Sequence, residues 1–156
     1  MEENVTDSGG VTNFGVSLRF YRQTVKPDAT ESDIRNLSVT DAEHVYKTQF
    51  WDKGRYAELD SQTLATKMLD LSVNMGPHEA NKLLQRAINV LNPSLVTVDG
   101  VVGIHTIAAA NAADPQKLYD QLISEGRDFY SNTLIAHPED RVFYSGWSRR
   151  LNLVPA

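Results

Sequence analysis

The chain contains no cysteine, which excludes disulfides, thiolate metal sites and cysteine nucleophiles and is compatible with folding in a reducing compartment. No apolar stretch approaches the about eighteen residues needed to span a bilayer, so no membrane insertion is expected. The acidic, polar start, Met1-Glu2-Glu3-Asn4, is unlike a signal peptide, which implies synthesis in the cytoplasm without one. Basic runs are also missing. Arg149-Arg150 is the longest, and 15 Lys and Arg stand against 20 Asp and Glu, a formal net charge of -5. This balance argues against nucleic acid or an anionic membrane as the main partner. His44, His78, His105 and His137 are scattered with no metal-ligand spacing, and no Gly-x-Ser-x-Gly or phosphate-binding loop occurs. Asp99-Gly100 lacks the alternating acidic ligands of an EF-hand loop. Neither a metal nor a cofactor is expected.

What is present is a core-forming chain of 156 residues, able to bury roughly two thirds of its unfolded surface. Its most polar and turn-rich stretch is Asp7-Ser8-Gly9-Gly10-Val11-Thr12-Asn13-Phe14-Gly15, followed by a pattern that predicts a short helix from Val16 to about Val25. Thr40 and Glu43 form a capping-box pattern opening a helix through Phe50-Trp51. Ser61 predicts the cap of a largely buried helix, the expected hub of the core, ending at Asn74-Met75-Gly76-Pro77. Pro77 begins another helix that Asn92-Pro93 stops. Val96 to Gly103 is the one β-like passage, suited to a tiny hairpin around Asp99-Gly100. Helices follow from about Ile104 to Ala113, from Asp114-Pro115 to about Leu134, and after Pro138 along Val142, Phe143, Trp147 and Leu151.

Three separate stretches together resemble one family, the glycoside hydrolase family 108 muramidases of phages and bacteria, including proteins labelled secretion activators. Asp7 to Gly15 resembles the family's Asp-Pro-Gly-Gly-x-Thr-Asn-x-Gly segment, with Ser8 in place of proline. Tyr46 with Gln49-Phe50-Trp51-Asp52 is similar to its Tyr-Trp-Asp passage. Asp70 with Val73-Asn74-Met75-Gly76-Pro77 is similar to its central helix and turn. The second half resembles the accessory region called a predicted peptidoglycan domain, carried by Leu84-Gln85-Arg86-Ala87-Ile88-Asn89, Val98-Asp99-Gly100-Val101-Val102-Gly103, Thr106 and Phe143 to Arg150. The resemblance implies a mainly α, lysozyme-like helical fold with at most a tiny β-hairpin. It divides the chain into a catalytic-type lobe, 1–76, and a helical peptidoglycan-binding-type lobe, 77–156, packed as one compact unit.

Glycosidic cleavage needs an acid to protonate the leaving oxygen and, as a rule, a carboxylate to activate water. By resemblance Asp7 would be that carboxylate and Thr12 would orient the water, although both are equally suited to fixing a turn through local hydrogen bonds. The family's catalytic glutamate falls upstream of the Asp7 position, at a place before Met1. Glu2 and Glu3 are then the carboxylates that could stand in for it. Asn13, Gly15, Trp51 and Asn74 are the expected substrate-binding set. Asn13 and Asn74 serve equally well to fix a loop or end a helix, and Tyr46 and Trp147 read as core. Gln85 reads either as a family feature or as a helix-surface hydrogen bond. Two functions remain. One is a muramidase hydrolysing N-acetylmuramic acid–N-acetylglucosamine linkages at the bacterial cell wall or periplasm, after release or export. The other is a noncatalytic peptidoglycan-binding or secretion-accessory protein without the acid. Either takes peptidoglycan glycan strands as partner. A missing first helix would expose apolar surface and favour a homodimer.

Overall fold

The computed structural model describes residues 10–154. Among these, eight α-helices and one two-stranded antiparallel sheet make the fold mainly α. The chain divides into two compact units, Met1–Lys53 and Gly54–Ala156.

In the first unit, β1 (Thr12–Asn13) pairs with β2 (Val16–Ser17) in the register Thr12 to Ser17 and Asn13 to Val16. The hairpin therefore lies here and not at Val96 to Gly103, where no strand forms. Val16, read as the start of a helix, is a buried strand residue. Helix α1 (Leu18–Thr24) starts two residues later because the Ser17 hydroxyl accepts the Phe20 N–H at 3.1 Å, satisfying one of the donors that a first turn leaves open. Helix α2 (Glu31–Arg35) opens on a reciprocal cap between Thr30 and Asp33, and α3 (Val39–Tyr46) on one between Ser38 and Asp41. The cap of α3 is thus Ser38 rather than Thr40. Both positions fit the sequence pattern, and the earlier one adds half a turn of helix. Ala29, Ile34, Ala42, Val45 and Phe50 are buried, and Phe20 stacks on Phe50 at 4.7 Å.

The second unit contains α4 (Gln62–Met75), α5 (Pro77–Leu91), α6 (Ile104–Ala112), α7 (Pro115–Ala136) and α8 (Arg141–Asn152). Their starts follow the sequence closely. Ser61 caps α4, Pro77 is the first residue of α5, and Asp114 caps α7 with Pro115 as its first residue. At Gly76, φ is +95°, a conformation glycine adopts without steric cost, and it separates α4 from α5. The central helix is α5, flanked by α4, α6 and α7; α4, the expected hub, packs to one side of it. The fully buried residues of the unit include Met68, Leu71, Leu83, Leu84, Ile88, Leu118 and Leu122, each stabilising the fold by about 1.5–3 kcal/mol of apolar burial.

One cation lies inside this apolar setting. Lys67, on α4, is 1% exposed, and its ammonium donates to the carbonyls of Arg150, Leu151 and Leu153 at 3.0, 2.9 and 2.7 Å. These belong to the last turn of α8 and the residue after it. A positive charge there satisfies carbonyls at the end of the helix, where helical N–H donors run out, and complements the negative end of the helix dipole; the Arg150 carbonyl also accepts the Leu153 N–H at 3.3 Å. Burial pushes the ammonium pKa down, and the nearby Asp70 opposes that shift.

Candidate functional site

Glu2, Glu3 and Asp7 lie outside the described residues. Thr12, Asn13 and Gly15 are brought together by the hairpin of the first unit. Its two-residue loop, Phe14-Gly15, has φ of +53° and +80°, the pattern of a type I′ turn, whose twist matches the flanking strands. Glycine suits its position. Phenylalanine does not, since a left-handed conformation costs a residue with a Cβ about 1–2 kcal/mol. Phe14 nonetheless keeps 44% of its surface exposed, so only part of the ring is buried against that cost.

The hairpin is fixed from below by Asn13, which is 3% exposed. Its amide nitrogen donates to the carbonyls of Ile34, Arg35 and Leu37 at 3.0, 3.3 and 3.5 Å, the open carbonyl end of α2 and the turn after it. Its amide nitrogen therefore braces the scaffold. Leu18 N–H donates to Val11 O at 2.9 Å and extends the hairpin's hydrogen bonding by one step. Thr12 is half-buried on β1, on a strand held in place at both ends.

Trp51 lies in the same unit, within a widened π-helical turn over Lys47–Asp52. Such turns are rare and occur frequently at functional sites. Lys47 closes it through an ion pair to Asp52 at 3.0 Å. The Gln49 side-chain carbonyl is enclosed with no hydrogen-bond partner among the described residues. Tyr46, expected in the core, is half-buried and tilts against Phe50 at 5.9 Å. Trp51 is also half-buried.

Asn74 belongs to the second unit, in the last turn of α4, where its amide donates to the Tyr130 hydroxyl at 2.6 Å. Tyr130 is buried, which pushes its phenol pKa up, and it stacks on Trp147 at 5.2 Å, with Phe143 beyond at 6.0 Å. Trp147 is half-buried at the middle of this aromatic row.

The most organised polar feature of this unit is one face of α5. Asn81, Gln85 and Asn89 recur every fourth residue, so they line up along the helix. Asn81 donates to Gly100 O at 3.1 Å and accepts the Tyr56 hydroxyl at 2.6 Å; burial pushes that phenol up to about 12. Gln85 accepts the Asp99 and Gly100 N–H groups at 3.0 and 2.9 Å and donates to Asp99 Oδ1 and Val101 O, both at 3.0 Å. Asn89 exchanges two bonds with the main chain of Val96. The passage expected as a hairpin is instead a loop paired to side-chain amides. Gln85 is 1% exposed, so it is an internal clamp and not a helix-surface contact. Gly100 has φ of +77°, and a Cβ there would fall onto the His78 ring. Beside this region, α5 and α7 border a groove of about 550 Å³ lined by Glu79, Arg86, Glu125, Asp128 and Phe129.

Among the described residues no group of three or more His, Cys, Asp or Glu is placed to hold a metal ion, and no helix is long and apolar enough to cross a membrane.

A mainly α fold with one short hairpin is the class these elements define. Residues 1–76 match the family model glycosyl hydrolase 108, and residues 79–152 match the predicted peptidoglycan domain. The chain thus joins a segment that matches the glycosyl hydrolase 108 family to one that matches the predicted peptidoglycan domain. The solved structure of Brucella abortus SagA superposes with a TM-score of 0.79 at 24% identity, covering 96% of this chain and 80% of that one; at this identity the likeness speaks for the fold. No curated protein matches the chain. The family matches support a peptidoglycan-related function, with peptidoglycan as binding partner and the cell wall as the place of action.

Proposed function

We propose that the chain is an N-acetylmuramidase that hydrolyses the N-acetylmuramic acid–N-acetylglucosamine linkage of peptidoglycan. The observation that carries this reading is the glycosyl hydrolase 108 match over 1–76 falling on a braced hairpin that presents Thr12. In the mechanism we assign, a carboxylic acid, Glu2 or Glu3, protonates the leaving glycosidic oxygen. Asp7 removes a proton from a water held by the Thr12 hydroxyl, and that water attacks the anomeric carbon from the opposite face with inversion. Trp51, Asn13 and Gly15 are the proposed glycan contacts of the first unit, and Asn74 is the proposed contact of the second. For Asn13 this leaves its amide oxygen, since its nitrogen is committed to α2.

The chain would act on the wall as an endolysin or prophage-borne secretion activator does, after release or export, and as a homodimer if apolar surface is left open. Release of muropeptides from purified sacculi tests the reading. The expected result is release by the wild type that Asp7→Ala abolishes. Co-sedimentation with sacculi without release would favour the noncatalytic wall-binding role, which the match over 79–152 supports by itself.

A further inference from the structure

The turn at Phe14-Gly15 sets a bulky aromatic residue where its backbone is least at ease. Asparagine or glycine suits the first position of a type I′ loop, and Asn-Gly is its preferred pair. Phe14 instead holds φ at +53° with 44% of the residue exposed. A residue that strains the backbone while leaving a large part of an aromatic ring exposed points to a use outside the chain's own packing. Its support is stiff: Asn13 is anchored to the end of α2, Thr12 pairs with Ser17, and Leu18 N–H closes on Val11 O. A rigidly mounted, exposed ring is suited to lie against the apolar C–H face of a sugar ring, because little side-chain or loop entropy is lost when it does so.

We infer that Phe14 is a glycan-contacting, specificity-determining residue, a stacking platform for a pyranose ring of the strand on which Thr12 acts. This rests on the muramidase reading for the identity of the ligand. The strain then has a function: the turn keeps the ring at the hairpin tip instead of letting it fold back.

The test is a comparison of Phe14→Asn with Phe14→Tyr in the full chain, by co-sedimentation with sacculi, muropeptide release and thermal unfolding. Phe14→Asn relieves the turn and removes the ring. It should raise the unfolding midpoint by about 2–6 °C while weakening glycan engagement roughly three- to tenfold. The weakening should appear mainly in KM where release is measured. Phe14→Tyr keeps the ring and should retain engagement with an unchanged midpoint. Gain of stability together with loss of engagement is a pairing that a merely structural residue does not produce. A wild type that binds or cuts sacculi, with Phe14→Asn doing so equally well, overturns the assignment of Phe14 alone. A wild type that neither binds nor cuts overturns the muramidase reading, and the glycan role of Phe14 with it.

Discussion

Gln85 and Asp99 hold each other from both ends: the Gln85 side-chain oxygen accepts the Asp99 N–H at 3.0 Å, and its nitrogen donates to Asp99 Oδ1 at 3.0 Å. The same amide also serves Gly100 and Val101. Gln85→Leu strands these main-chain groups in a buried place and should cost about 2–4 kcal/mol in urea unfolding. Gln85→Glu is a sharper probe. Its carboxylate would face the Asp99 carboxylate and the Val101 carbonyl, so the folded state would favour its protonated form. The deficit relative to wild type should be largest at neutral pH and should narrow as the pH falls through the carboxyl range.

Gly100 and His78 make a second pair to separate. Gly100→Ala introduces both a strained φ and a collision with the His78 ring, and should destabilise by about 2–4 kcal/mol. His78→Ala alone, at an exposed position, should be nearly neutral. The double variant should recover the collision part and retain the φ part, about 1 kcal/mol. A double-mutant cycle on urea midpoints reads the two parts apart.

Asn13 tests whether scaffold and site share a residue. Asn13→Ala removes the donor that three carbonyls of the α2 end accept from, and the expected loss is about 1–3 kcal/mol by thermal unfolding. Sacculus release measured well below the new midpoint should fall as well, because the same amide sets the height of Thr12. Asn13→Asp places a carboxylate against those carbonyls and should be worse in both readouts.

Acid should loosen the first unit. The Thr30 N–H holds the Asp33 carboxyl below its ordinary value, with Lys26 adding to it, and the Ser38 N–H does the same for Asp41. Each carboxyl is depressed in the folded state, so its contribution is complete above the ordinary carboxylate value of 3.8 and is lost as the pH falls through the depressed one. Thermal midpoints recorded from neutral pH down to about 3 should fall through this window. Asp33→Asn with Asp41→Asn should flatten the fall, since an amide cannot titrate.

Helix starts in the second unit were legible because local chemistry decides them: Ser61, Pro77 and Asp114 each act on donors within the next turn. The α3 cap was ambiguous because Ser38 and Thr40 offer the same chemistry two residues apart. The hairpin was missed because its strands are two residues each, too short for alternation to show, and the loop carries Phe14 where the sequence signal is asparagine. Lys67 gave no signal at all. A lysine on a helix reads as solvated, and its partners lie 83 to 86 residues away. Of the candidate site, the Thr12 to Gly15 segment was visible from its glycines and polar residues. The brace beneath it was not, since it depends on where α2 ends.

Lys67 lies in the stretch matched to glycosyl hydrolase 108, and the carbonyls it closes begin at Arg150, in the stretch matched to the predicted peptidoglycan domain. The seam between the two matches is therefore no place to cut. A fragment ending at residue 76 would lose the three carbonyls to which the Lys67 ammonium donates, and one starting at residue 77 would leave the end of α8 open to fraying. A chimera meant to transplant wall recognition onto another enzyme has to take α4 along, beginning near Gly54. A recombination event that swapped the two matched stretches at their border would yield two chains that each lack one partner of the same internal bond.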